Sequence, residues 1–289
     1  MTTKVLKMGT RGSRLAMTQS QQVADCIKAE TGIDVDLIVI STRGDRIQDR
    51  PLPEIGGKGL FTLELEQALQ DGSIDMAVHS LKDLPTEDPE GLILGAIPER
   101  VDPRDALVGF SMESLPQGAT VGSGSLRRRM QLSAIRPDIV LKDIRGNVPT
   151  RLSKRDEGQY AGTILAMAGL NRLGIEREDI FPISTEAMIP AVGQGALGVQ
   201  CREADPIVLP VLESIEHPST RACVVGERAF LADLGGGCNV PAGCHIVVSE
   251  NGMFRVSAIV ANEAGDLRRY EATGPDPVQL GLSAALALK

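Results

Sequence analysis

Residues 4–30, KVLKMGTRGSRLAMTQSQQVADCIKAE, hold the pattern on which the fold turns. Residues 4–10 read as a strand. Residues 13–30 read as a helix starting near Ser13, a residue type that satisfies the free N–H groups of a helix start. VDLIVIS (35–41) is a short apolar run rich in β-branched residues, so a buried strand is expected. A helix follows at about 60–71 (LFTLELEQALQD), then strands at 74–79 (IDMAVH) and 92–97. Strands alternating with helices through short connections predict an α/β fold, a parallel or mixed sheet covered by helices.

The pattern restarts after ERVDPRD (99–105). ATVGS (119–123) reads as a strand, LRRRMQLSAIR as a helix and DIVLKDI as a strand. NVPTRLSKRDEG opens a helix that tolerates Pro149 in its first turn. Residues 162–168 form another apolar element, and IPAVGQGA (189–196) breaks the pattern with Pro190, Gly193 and Gly195. Domain boundaries are expected at these two stretches. The last third differs. One helix spans 218–234, strands at 245–249 and 254–261 flank the hairpin signal Asn251-Gly252, a strand lies near 267–273, and a short helix ends the chain. That is a third, small α+β domain.

The totals limit the function. The chain has 289 residues, enough for two or three domains, and 42% are apolar, an ordinary globular share. No apolar run approaches the ~18 residues of a membrane span. MTTKVLKMGTRG lacks the apolar core of a signal peptide, so a soluble cytoplasmic protein is expected. Five cysteines at irregular spacing, with no C-x-x-C pair, argue against a disulfide framework. His79, His217 and His245 are far apart, and no metal site is expected. The net charge of −8 disfavours nucleic acid as a partner, yet residues 127–155 carry seven Arg and two Lys against two Asp. Arginine in preference to lysine favours recognition of carboxylate or phosphate. With seven aromatic residues in the chain, base-stacking platforms are scarce, and a small polyanion is the better ligand.

Each candidate site also has a plain structural explanation. GGKGLF (56–61) fails the phosphate-loop pattern, because Gly59 follows Lys58 where Ser or Thr is required. It is either a plain loop or one that closes over a ligand with Lys58 and Phe61. VGSGSLRRR (121–129) opens a helix, where N–H groups, Ser123, Ser125, Arg127 and Arg128 suit an anion; the alternative is a strand–turn–helix with exposed arginines. HSLKDLP (79–85) puts Ser80, Lys82 and Asp83 just after a strand, where open α/β sheets place ligands. Asp83 alone is more often a capping carboxylate, and His79 a satisfied structural histidine. TRGSR places Arg11 and Ser13 at another strand end. Arg145, Arg151 and Arg172 are surface residues singly, and together suit a cleft shared by the two α/β units. In LGGGCNVPAG (234–243), Cys238 sits where three glycines give no packing but let backbone approach a bulky attached group.

Taken together, TRGSRLAMTQ, GGKGLFTLELEQAL, DMAVHSLKDLPT, DPRDAL, SLRR, IRGNVPTRLSK, AGLNRLG, PAVGQGA and GGGCNVPAG resemble, in order and over nearly the whole chain, the porphobilinogen deaminase (hydroxymethylbilane synthase) family. The resemblance implies two periplasmic-binding-protein-like α/β domains and a third small α+β domain: residues 1–99 with 195–216, 100–194, and 217–289. It implies a monomeric transferase of tetrapyrrole (haem) biosynthesis. Four porphobilinogen units join head to tail with loss of ammonia, and hydrolysis releases a linear tetrapyrrole, which uroporphyrinogen-III synthase could receive directly. One dipyrromethane cofactor would be held by Cys238 through a thioether. Asp83 would be catalytic, stabilising the positive charge that develops at the pyrrole N–H. Ser13, Lys82, Asp83, Ser123, Ser125, Arg127, Arg128, Arg145 and Gly146 would hold the cofactor. Arg11, Lys58, Phe61, Ser80, Arg145, Arg151, Arg172 and Gln194 would hold the substrate. Ser123, Gly124, Pro149 and Ala161 depart from the family pattern, where Thr, Ser, Gly and Asp are usual. The rival reading, from another class, is a solute-binding protein for a small polyanion.

Overall fold

The structure is a computed structural model that describes residues 5–46, 59–236, 240–262 and 265–289. The chain divides into two compact units, Met1–Arg100 with Ala196–Arg221 and Val101–Gly195 with Ala222–Lys289.

The first unit opens with β1 (Leu6–Thr10), α1 (Arg14–Thr31), β2 (Val35–Val39), α2 (Arg43–Arg46), α3 (Leu63–Gln70), β3 (Met76–Ser80) and β4 (Leu92–Ala96). The second unit then takes β5 (Asp105–Val108), β6 (Thr120–Gly122), α4 (Leu126–Ile135), β7 (Val140–Lys142), α5 (Val148–Asp156), β8 (Gly162–Ala166), α6 (Met167–Arg172) and β9 (Ile180–Pro182). The chain returns to the first unit for β10 (Leu197–Arg202) and α7 (Val208–Glu213). It ends with α8 (Pro218–Asp233), β11 (Ala242–Val248), β12 (Phe254–Ala261), β13 (Leu267–Gly274) and α9 (Pro277–Leu288).

Two five-stranded sheets share one plan. The first has the order β2-β1-β3-β10-β4, with β1 parallel to β2 and β3, and β10 antiparallel to β3 and β4. The second has the order β7-β6-β8-β5-β9, with β6 parallel to β7 and β8, and β5 antiparallel to β8 and β9. In each, the antiparallel strand lies beside a point where the chain passes from one unit to the other. The third sheet, β11-β12-β13, is an antiparallel meander covered by α9. The fold is thus α/β twice over with a small α+β part.

Local chemistry explains the helix that frames the first sheet. Ser13 caps α1 by accepting the Ala16 N–H at 3.2 Å, and Gly32 ends it at φ 72°, a left-handed conformation that suits glycine. Val23, Ala24 and Ile27 form its buried stripe and join Leu6, Met8, Val78 and Val199 in one core. Burying each such large side chain contributes roughly 1.5–3 kcal/mol. On the other sheet face, Leu65 and Leu69 of α3 pack with Ile74 and Ala77.

Two features depart from the sequence reading. β2 is the edge of its sheet rather than a buried strand, and Val39 is 57% exposed. A β-branched run fits an edge as well as a core, and periodicity cannot tell them apart. Strands β5, β9 and β10 and helix α7 lie where no element was expected. β5 and β10 are short and adjoin the Pro/Gly stretches that read as linkers. Asn251-Gly252 does mark a hairpin, and Gly252 takes φ 77° inside a loop closed by Ser249 N–H donating to Met253 O at 2.7 Å. No helix among the described residues is long and apolar enough to cross a membrane.

Candidate active site

In the first unit, the ends of β1 and β3 meet at a shallow, open cleft lined by Arg11, Ala16, Gln19, Phe61, Thr62, Val78, His79, Ser80 and Asp83. The structure thus brings together four residues singled out from sequence: Arg11, Phe61, Ser80 and Asp83. Leu81–Asp83 form a single 3-10 turn directly after β3. Leu81 is its buried anchor, and the Leu81 N–H donates to Ala196 O at 3.1 Å. The turn leaves Asp83 exposed, accepting no hydrogen bond from a described residue. Lys82 is half-buried on the same turn. The Ser80 hydroxyl accepts from Gln19 Nε2 at 2.8 Å.

Arg11 is the cation of this cleft. Its Nε and Nη2 both donate to the Asp45 carboxylate, and its guanidinium lies 4.0 Å from the centre of the Phe61 ring. Asp45 also accepts from Thr42 Oγ1 at 2.7 Å. Burial opposes ionisation of Asp45, and the hydrogen bonds from Arg11 and Thr42 outweigh it, holding the carboxyl below its ordinary range. His79 is 6% exposed. Burial pushes its imidazole down to about 4, so it is neutral at physiological pH and no cationic contributor to the cleft. Its Nε2 makes no hydrogen bond of full geometry with a described residue, and the side chain of Gln200 is the polar group that acts on it.

The basic run lies in the second unit. Ser125 caps α4, accepting the Arg128 N–H at 3.5 Å, and buried Ser123 accepts the Ser125 N–H at 3.3 Å. Arg127 and Arg128 turn inward onto Asp105 of β5, with nitrogen–oxygen distances of 2.8 and 2.7 Å. Arg127 also donates to Ile189 O and Arg128 to Ile164 O, while Gln194 donates to Asp105 at 2.9 Å and to Pro103 O. Burial would raise the Asp105 pKa, but the charges of the two arginines outweigh it and hold the carboxyl far below its ordinary range. The sequence suggested arginines directed at a ligand or lying exposed. In the structure, both guanidinium groups pair with a carboxylate of the chain itself, brought in by a strand that the sequence reading missed; Arg128 donates to its Oδ1, and Arg127 meets its Oδ2 as an ion pair without hydrogen-bond geometry.

Of the remaining arginines, Arg145 lies in the loop before α5, Arg151 in α5 and Arg172 at the end of α6. Gly146 takes φ 111° and accepts from Arg151 Nε at 2.8 Å, and Arg145 O accepts from Lys154 Nζ at 3.1 Å. Arg172 donates to Gly195 O at 2.9 Å, and burial pushes its pKa down to about 10. Lys58 and Cys238 lie outside the described residues. Among the described residues, no group of three His, Cys, Asp or Glu side chains could hold a metal ion. Asp45, Gln19, Thr42 and Asp105 escaped the sequence reading. The only signal for Asp45 or Asp105 was a carboxylate beside arginine, in RGDR and PRDAL, which is common in turns.

Known proteins bear on this arrangement. A family model described as the porphobilinogen deaminase dipyromethane cofactor binding domain matches residues 6–209, and one for the porphobilinogen deaminase C-terminal domain matches 221–289. A porphobilinogen deaminase of Brevibacillus brevis is 47% identical over 98% of this chain and 93% of its own length. One of Nitratidesulfovibrio vulgaris is 48% identical over 91% of this chain and 84% of its own length. Among solved structures, the methionine-binding protein MetQ matches 78% of this chain and 93% of its own at 14% identity and a TM-score of 0.46, too low to carry weight here. The two family models and the full-length relatives agree, and the chain belongs to the porphobilinogen deaminase family.

Proposed function

We infer that this chain is a transferase, a hydroxymethylbilane synthase. It joins four porphobilinogen molecules head to tail on a covalently held dipyrromethane, with loss of ammonia at each addition, and releases the linear tetrapyrrole by hydrolysis. One observation of the structure carries the reading: a carboxylate without a partner among the described residues, Asp83, shares a cleft with a positioned arginine, Arg11. The solute-binding alternative loses ground, because the relatives that match nearly the whole chain are porphobilinogen deaminases.

The donor set fits pyrroles bearing acetate and propionate. Arg11 offers a cation for a carboxylate, Phe61 an aromatic face and Asp83 an acceptor for a pyrrole N–H. When bound, dipyrromethane supplies the nucleophilic ring carbon on which the first unit is joined. We assign its thioether to Cys238. The Asp83 carboxylate opposes positive charge developing at the substrate pyrrole N–H, and its fixed place on the 3-10 turn makes that stabilisation preorganised. In its protonated form the same carboxyl can give its proton to the departing amine, which leaves as ammonia, and the resulting carboxylate then faces the new cation. Arg11 binds a substrate carboxylate through its remaining nitrogen, with Ser80, Lys82 and Lys58 as further contacts. Arg145, Arg151 and Arg172 serve the lengthening polyanion. Arg127 and Arg128 serve the cofactor and Gln194 the substrate, and all three are positioned through Asp105.

Three domains go with this reading, residues 1–99 with 195–216, 100–194 and 217–289, supported by the three separate sheets. So do a cytoplasmic location, a monomeric state and hand-off of the product to uroporphyrinogen-III synthase. Sedimentation and a coupled assay with that enzyme test the last two. The function itself is tested by intact mass. An excess equal to two linked pyrrole units, lost in Cys238→Ser, is expected. An unmodified mass in protein that turns over porphobilinogen contradicts it.

A further inference from the structure

Arg11 is held more tightly than a surface arginine needs to be. Two of its three guanidinium nitrogens, Nε and Nη2, donate to the two oxygens of Asp45, a fork that fixes the plane of the group. Phe61 covers one face of that plane at 4.0 Å. Asp45 is itself fixed by the hydroxyl of Thr42, which is fully buried. The segment between them is locked as well. Gly44 donates to Leu60 O at 2.8 Å, and a Cβ on Gly44 would stand 2.1 Å from the Phe61 ring. No side chain larger than hydrogen fits there without displacing the ring that stacks on Arg11.

This arrangement leaves Nη1 as the one guanidinium nitrogen of Arg11 without a partner among the described residues. Arg11 lines the cleft that Asp83 also lines. We propose that Asp45 is a positioning residue for substrate binding: with Thr42 and Phe61 it aims Arg11, so that a single edge of the guanidinium meets one carboxylate of the pyrrole substrate. The Arg11–Asp45 pair contributes little net charge, so selectivity comes from direction rather than from general attraction for anions. This inference rests on the reading of the cleft as the porphobilinogen site.

The cofactor-loaded protein is the material for the test. Asp45→Asn keeps the shape of the side chain and removes the charged fork. Its KM for porphobilinogen is expected to rise about tenfold, with kcat within about threefold of the unaltered enzyme. Added to Arg11→Lys, which breaks the fork from the other side, Asp45→Asn is expected to change KM by less than about twofold, because coupled residues are not additive. In protein labelled with nitrogen-15 arginine, the Arg11 Nε–H is expected to exchange slowly, and fast in Asp45→Asn. An unchanged KM in active Asp45→Asn overturns the proposal. So does a full tenfold effect on top of Arg11→Lys, which would mean that Asp45 acts independently of Arg11. If the unaltered chain does not consume porphobilinogen, the reading of the cleft fails, and with it the substrate role of Asp45.

Discussion

The two α/β sheets use the same corner twice, to different ends. TRGSRLA (10–16) follows β1 and GSGSLRR (122–128) follows β6; each turns from strand to helix on a serine cap, and each carries arginine with an aspartate brought from elsewhere. In the first corner, the side chains of Arg11, at the wall of a cleft, and of Asp45 behind it remain 24% and 26% exposed. In the second, Arg127 and Arg128 are 5% and 8% exposed and Asp105 is wholly buried. The same local sequence grammar therefore gives a partly exposed arginine–aspartate pair in one unit and a buried arginine–aspartate cluster in the other. What separates them is the aspartate. Asp45 comes from α2, the short helix after an edge strand, whereas Asp105 comes from an antiparallel strand inside the sheet.

The contrast should be largest in stability. Asp105→Ala leaves two buried guanidinium groups without their carboxylate, and a loss of about 3–5 kcal/mol is expected by urea unfolding. Asp45→Ala removes a partly exposed pair and is expected to cost about 1 kcal/mol or less. Equal losses would erase the distinction between the buried cluster and the partly exposed pair.

Acid sharpens it next. The folded-state pKa of His79, about 4, lies below its ordinary value of 6.5, so between these values the unfolded chain binds more protons than the folded one. Stability is full above 6.5 and falls as pH drops toward 4, by about 3 kcal/mol in all. His79→Asn should flatten that fall in stability measured by denaturation at pH 7, 6, 5 and 4. An unchanged slope would show that the imidazole is not held neutral.

The caps give the smallest effect. Ser13→Ala is expected to cost about 1 kcal/mol, and Ser125→Ala less, because the Ser125 cap bond is the longer of the two, 3.5 Å against 3.2 Å. Differential scanning calorimetry of the two variants checks the order.

Much of the alternation from β1 to β8 was legible in the sequence, because amphipathic helices and β-branched runs leave periodic traces. The serine caps were legible too. The inserted strands were not. DALV and LGVQCR are brief and adjoin Pro/Gly stretches, and only pairing with distant partners makes them strands. For the same reason, the Arg127 and Arg128 pairs with Asp105 were hidden: a separation of more than twenty residues has no local signature. The resemblance to a family singled out Asp83 and Cys238, and the structure adds how Arg11 is held beside Asp83.

The most direct test of the cleft is Asp83→Ala in protein whose mass shows the two-ring adduct. Asp83 is exposed on its turn, so thermal stability should be unchanged, while porphobilinogen turnover should fall at least about 100-fold. Near-normal turnover in that variant would contradict the assignment of the chemistry to this carboxylate.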